Sequence, residues 1–181
     1  TYVDCLNSIS LFCGEEETEL FRLRDNLVTI LKKISFEDWL TLHQSLFGHS
    51  AHGDAPPYEL EYGEEHSHRQ PQELGDIAAF YEAFGLKLAS DVHERVDHIA
   101  VELDFLHFLT LKEAYALAND GLSKAKICSE ATRLFLADHL GRWLPVWTFR
   151  MIRIAGEGLY KNLGDFTVHF IVRECSLFGI E

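Results

Sequence analysis

Residues 94–119 read ERVDHIAVELDFLHFLTLKEAYALAN. The spacing predicts one long helix over almost all of this stretch. Val96, Ile99, Leu103 and Leu106 recur at the three- and four-residue steps of a single helical face. Ala100, His107, Leu111 and Ala114 make a second stripe beside the first. An apolar band that wide belongs to a helix touched from several sides, at the centre of a domain. Its first turns are polar. On a helix Glu94, His98 and Glu102 stack four apart along one side, with Asp97 and Asp104 nearby. Acids at a helix start also satisfy the macrodipole, so charge alone does not define a site.

The chain has 181 residues, which suits one domain, 1–181, with a core of its own. Hydrophobic residues make up 47% and charged residues 25%, an ordinary globular balance. The net charge of −13 excludes general nucleic-acid binding, which needs clustered positive charge. It equally disfavours an anionic membrane surface. Cys5, Cys13, Cys128 and Cys175 form no CxxC pair and match no zinc-ribbon spacing. They read as buried or free thiols of a reducing compartment. No apolar run approaches the ~18 residues of a membrane helix. The opening TYVDCLNSIS lacks the basic-then-apolar order of a secretory signal. The expected location is the cytoplasm.

Helical periods and stop signals recur on both sides of the central stretch. A short helix is expected over 1–13, ended by Gly14. A second runs from Glu15 to about Lys33, and a third from Phe36 to Phe47, with Ser35 and Asp38 spaced as a capping box. Residues 48–70 break the pattern with Gly, Pro, four histidines and five acids, and read as a loop. Within it the run Tyr58-Glu-Leu-Glu-Tyr62 mixes rings and acids, the composition of a binding loop on a rigid scaffold. Pro71 suits a first helical turn and Gly85 a helix stop. Beyond the central helix, Ser123 is expected to cap a helix over Lys124–Leu140 with Ile127, Ala131, Leu134 and Phe135 inward. Further helices follow over Leu144–Ala155 and from about Leu159 to Phe178. Thr167–Val172 alone fits a strand, and it fits a helix equally well. The expected fold is all-α, a globular bundle of seven or eight helices.

Three chemistries compete for the polar residues. His98 and Glu102 have the i, i+4 geometry of half a metal site, with His107 as a third group, but no helical HExxH is present. His98 oriented by Glu94 has the makings of a general base, yet no nucleophile elbow or phosphate loop accompanies it. Together these define a His/carboxylate hydrolase as one alternative. The third chemistry is peptide binding. Glu94 and Asp97 supply carboxylates, His98 a switchable donor, and Tyr58, Tyr62 and Trp143 flat anchors. Acids flanked by rings suit guanidinium groups, which pair bidentately and stack.

Three segments then occur in a telling order: LGDIAAFYEAFGL at 74–86, the central stretch, and FLADHLGRWLP at 135–145, preceded by PPYELEYG at 56–63. This series resembles the TorD/DmsD/NarJ group of chaperones, in its NarJ-like branch. The resemblance implies an all-helical, TorD-like, non-enzymatic protein without a cofactor of its own. It implies a cytoplasmic role in maturing a molybdopterin-containing oxidoreductase. The partner would be that enzyme's catalytic subunit, in apo form or through its twin-arginine leader. The family's Glu-x-Pro-Asp-His motif reads Glu94-Arg95-Val96-Asp97-His98 here, so the proline is missing. The resemblance assigns leader binding to Asp97 and His98, and Tyr58 stands near the place of a further lining stretch; Glu94, Glu102 and Tyr62 are the other candidates for the peptide site. His139 and Trp143 match the family's later His-Leu-x-x-Trp pattern, a place for packing or binding. A permanent structural subunit of an oxidoreductase complex is a further alternative, and both monomer and domain-swapped dimer fit the sequence.

Overall fold

The computed structural model describes residues 15–48, 54–63 and 70–180. The helix expected over 1–13 and the histidines 66 and 68 lie outside these residues. The described chain is all-α. Seven α-helical stretches occur among the described residues: α1 (Glu15–Leu31), α2 (Phe36–Phe47), α3 (Gln70–Ala83), α4 (Ile99–Asn119), α5 (Leu122–Phe135), α6 (Gly141–Ala155) and α7 (Leu159–Leu177). A π-helical turn, Leu136–Leu140, joins α5 to α6 without a break, so the count falls to six if that run is taken as one. A 3₁₀ turn covers Glu59–Glu61. Thr167–Val172 is helical, inside α7. No described helix is long and apolar enough to cross a membrane.

The chain divides into two compact units. One comprises residues up to Pro56 together with Pro145–Arg173, and the other Pro57–Leu144 with Glu174–Glu181. In the first unit Ser35 caps α2, its hydroxyl accepting from Asp38 N at 3.0 Å. Leu20, Leu23 and Leu27 of α1 are buried, as are Met151 and Ile171. Phe47 stacks on Trp147 at 6.2 Å and meets Tyr160 edge-on at 5.4 Å. Trp147 donates its indole N–H to Ala55 O at 3.2 Å, so a large ring is buried with its polar atom satisfied. Gly164 lets α7 approach α6, since a Cβ there would lie 2.5 Å from Ile152 Cγ1.

The second unit carries the central helix, and here the structure corrects three expectations. First, α4 begins at Ile99, not Glu94. Residues 94–98 form a turn whose backbone bridges to the 57–59 segment: Glu59 N donates to Asp97 O and Ile99 N to Pro57 O, both at 3.0 Å. His98 is extended (φ −76°, ψ 136°), and its Nδ1 accepts from Ala100 N, capping the helix. Glu94, His98 and Glu102 therefore do not stack on one helical side. Second, the buried stripe of α4 is Glu102, Phe105, Leu106, Leu109 and Ala116, while Ala100, His107, Leu111 and Ala114 face solvent. The buried phase is set by an aromatic cluster in which Phe105 meets Tyr81 at 4.8 Å and Phe135 at 4.9 Å. Third, α5 starts after Gly121, which has a positive φ of 91° and occupies the cap, so Ser123 is no cap. Ile127 and Leu134 are exposed, and the inward face carries Ala125, Cys128, Ala131, Thr132 and Phe135. Cys128 is buried, Cys175 half-buried, and both are free.

The π turn is closed by Gly141, whose N–H donates to Leu136 O five residues back. Pro145, inside α6, has no N–H for the carbonyl one turn back. Gly141 sits where a Cβ would lie 2.5 Å from Leu136 O and 2.8 Å from Cys175 Sγ. Only glycine fits a turn wound that way. The winding turns His139 and Trp143 inward, where both are buried.

Candidate functional site

A cleft of about 650 Å³ opens in the second unit. One wall is the Glu59–Gly63 segment, another is α3 through Glu73, Asp76, Ile77 and Phe80, and the third is Asp138, His139, Arg142 and Trp143. Among the described residues four carboxylates line it against one arginine and one histidine, so this lining favours cations. Tyr62 and Trp143 stack at 5.7 Å and give it a flat aromatic side.

The cleft is held from below by buried polar pairs. Glu59 takes His139 Nδ1 between its two oxygens, each at 3.1 Å, across eighty residues of sequence. Phe80 packs edge-on against the same imidazole at 5.2 Å. Trp143 donates its indole N–H to Glu102 Oε2 at 3.0 Å. Glu102 is fully buried, and its other oxygen, Oε1, has no hydrogen-bond partner by distance and angle. Burial, joined by the nearby charge of Glu59, pushes the Glu102 pKa up to about 10, against the weaker opposing effect of the Trp143 bond. Glu102 is thus a neutral carboxylic acid at pH 7. Protonated, it can offer its proton towards Glu59.

Beside the cleft the turn 94–98 forms a second polar cluster. Arg95 grips Asp97 with two prongs, Nε to Oδ1 at 2.9 Å and Nη2 to Oδ2 at 2.7 Å. It also reaches Glu61 at 3.4 Å and lies over the Tyr58 ring at 4.6 Å. Leu60 N donates to Asp97 Oδ2 at 3.2 Å, which ties the turn to the Glu59–Glu61 segment. Tyr58 OH donates to Glu94 Oε1 at 3.0 Å. Burial works against the charge on Arg95, but its bonds to Asp97 and then Glu61 outweigh it, and its pKa is raised. For His98 burial dominates the attraction of Glu94 and Asp97, so its pKa is lowered. The neutral imidazole is the form that can accept from Ala100 N.

The residues singled out from sequence therefore separate into two sets. Tyr62, His139 and Trp143 line the cleft, and Tyr58, Glu94, Asp97 and His98 form the adjoining cluster. Asp97 and Glu102 are each fully buried, so neither carboxylate is open to a ligand in this conformation. Glu102 is a correction of kind: it faces the core and Trp143, not His98. His98 and Glu102 make no half-site for a metal, because the His98 Nδ1 lone pair already caps α4. Among the described residues no three His, Cys, Asp or Glu side chains converge to hold a metal ion. The sequence reading missed Glu73, Asp76, Asp138 and Arg95. The first three are solvated acids by type, and only the fold brings them to one opening. Glu59 and Glu61 had a signal, the ring-and-acid run at 58–62.

With this geometry in hand, the chain can be set beside known proteins. The sequence model described as nitrate reductase delta subunit matches residues 15–148. The chain is 41% identical over 91 residues to the chlorate reductase assembly chaperone protein of Ideonella dechloratans, covering 50% of this chain and 45% of that one. It is 40% identical over 91 residues to the selenate reductase assembly chaperone protein of Thauera selenatis, with the same coverage of 50% and 45%. It is 26% identical over 131 residues to the chaperone protein TorD of Vibrio cholerae (serotype O1, strain M66-2), covering 71% and 57%. The chain thus spans about half the length of the curated relatives it matches. No solved structure matches it closely enough to support a comparison. The family match covers most of the chain and all three walls of the cleft, and the protein belongs to the nitrate reductase delta subunit family, the TorD/NarJ group.

Proposed function

We propose that this protein is a cytoplasmic assembly chaperone for the catalytic subunit of a molybdopterin-containing oxidoreductase, and that its acidic cleft takes the arginine-bearing leader of that subunit. The observation that carries the reading is the cleft itself: carboxylates from two sides, Glu59 with Glu73 and Asp76, beside the Tyr62–Trp143 stack. Guanidinium groups pair with carboxylates in a fork and lie flat on rings, so this lining prefers arginine to lysine. Ile77 and Phe80 offer apolar surface beside the acids for the residues that follow the arginines. Relatives whose names are assembly chaperones of chlorate and selenate reductases support the same class of client. Asp97 and His98 contribute in the conformation described by fixing the turn that carries the Glu59–Glu61 wall. Occupancy would withhold the leader from export. Release would follow once the client has folded around its cofactor and withdraws the same contacts.

The test is calorimetry with a synthetic leader peptide containing two adjacent arginines before an apolar run. The expected result is binding that weakens about tenfold or more when both arginines become lysine. Asp76→Asn with Glu73→Gln should weaken it by roughly 1–3 kcal/mol, the scale of charged hydrogen bonds. Equal binding of the lysine peptide, or no effect of the double substitution, would refute the cleft as the leader site.

A further inference from the structure

The cluster around Arg95 has the composition of a ligand site with the ligand already in it. A guanidinium group is recognised by three features at once: two parallel hydrogen bonds to one carboxylate, a further acid at the fork's free edge, and an aromatic face. All three are present. Asp97 makes the two-pronged contact, Glu61 takes Nη1, and Tyr58 lies under the plane. They come from two separate stretches of chain, joined by the backbone bridge of Tyr58 to His98. The occupant differs from its hosts. Asp97 is fully buried while the Arg95 side chain remains 35% exposed, so Arg95 closes the site from the solvent side.

The segment 58–62 also places this cluster in line with the cleft. Tyr58 and Glu61 serve the Arg95 side, and Glu59 and Tyr62 line the cleft. In an extended peptide successive side chains point to opposite sides. Two adjacent arginines thus reach either flank of one segment, one to the cleft and one to the Asp97 fork.

We propose that Asp97, Glu61 and Tyr58 form a guanidinium-binding site that Arg95 fills as an internal stand-in, and that an arginine of a bound peptide replaces it. The site for small guanidinium compounds stands on its own geometry. Only the identity of the incoming arginine rests on the leader reading above. The stand-in keeps a buried carboxylate paired while no client is present, and it sets a threshold for binding: a peptide must outcompete Arg95, which is held two residues from Asp97.

The experiment uses the full chain, wild type and Arg95→Ala, with ethylguanidinium and ethylammonium as probes. Ethylguanidinium should raise the melting temperature of Arg95→Ala saturably at millimolar concentration. Ethylammonium should not, and wild type should respond to neither. A variant that responds alike to both cations, or no more than wild type, overturns the proposal. If Arg95→Ala does not fold, Arg95→Lys keeps a charge above Asp97 without the fork. It must then bind ethylguanidinium about tenfold more tightly than wild type does, and equal affinity overturns the proposal. The twin-arginine peptide should likewise bind the variant about tenfold more tightly than wild type, because no internal competitor remains. Weaker peptide binding to the variant would mean that Arg95 contacts the ligand and is no stand-in. Peptide binding to wild type without cation selectivity in the variant leaves the cleft reading intact and removes this one. Cation selectivity without peptide binding does the reverse.

Discussion

Glu102→Gln should make the protein more stable, and increasingly so as the pH rises. The Glu102 carboxyl group is buried beside Glu59 and holds its proton up to about 10, against an ordinary value of 4.5. Its folded-state pKa is raised, so the stability linked to it is fully present below about 4.5 and is lost as pH climbs toward the folded value. Between the two values the unfolded chain releases a proton that the folded chain keeps. Each pH unit in that window costs ~1.4 kcal/mol. At pH 7 the accumulated cost is about 3 kcal/mol. Glutamine has the shape of the protonated acid and does not titrate. Its carbonyl can accept from Trp143 Nε1, now bound to Oε2, and its amide can donate towards Glu59 from the place of Oε1. Urea unfolding of both proteins between about pH 5 and 8.5 gives the difference directly, with the slope expected from linkage. The two should be nearly equal near pH 5, and the variant should gain steadily above it. Parallel stability curves would refute the assignment of a neutral, buried Glu102.

Four further outcomes are expected. Gly141→Ala should cost roughly 1–3 kcal/mol in chemical denaturation, because a Cβ has nowhere to go between Leu136 O and Cys175 Sγ. Ser35→Ala should remove the α2 cap and cost about 1 kcal/mol by the same measurement. Asp97→Asn should break the two-pronged bond to Arg95 and cost about 2 kcal/mol, less than a fully buried pair because Arg95 is partly exposed. His98 titrates in the opposite sense to Glu102. Its folded pKa is lowered, so its contribution is present above the ordinary 6.5 and is lost as pH falls through the folded value. His98→Asn, a cap without a titrating group, should flatten the loss between about pH 7 and 5 relative to wild type.

Much of the helix pattern was legible because local chemistry marks helix ends. Ser35 capped where the Ser–Asp spacing placed it. Gly85, with a φ of 74°, ended α3 as a left-handed stop should. The start of α4 was not legible. The family proline is Val96 here, so nothing local breaks the apolar period at 94–98, and what does break it is pairing to residues 57–59. The buried phase of α4 was missed for a related reason. Leu111 and Ala114 look like core by type, while Glu102 looks like surface, and only the Trp143 indole explains why an acid lies inside. The π turn leaves no periodicity to find. Of the candidate site, the order of motifs pointed to the segments from which the cleft and the Arg95 cluster are built. The contacts that shape it, Glu59 with His139 and Arg95 with Asp97, depend on chain segments meeting in space or on a charge pair that reads in sequence as two solvated side chains.

The division of the chain into two units bears on the order in which it can fold. Residues 57–144, which carry the cleft and the Arg95 cluster, form one unbroken run, completed only by the 174–181 tail. The other unit is split and needs residues 145–173 to join those before Pro56. During synthesis the ribosome delivers the whole of the 57–144 run before any of the second piece. The segments N-terminal to it, although made before it, must wait for residues 145–173, made after it. Loop closure over that distance is slow compared with contacts inside the run. The unit that carries the cleft therefore has the head start, and the helices that precede it in sequence follow it in time.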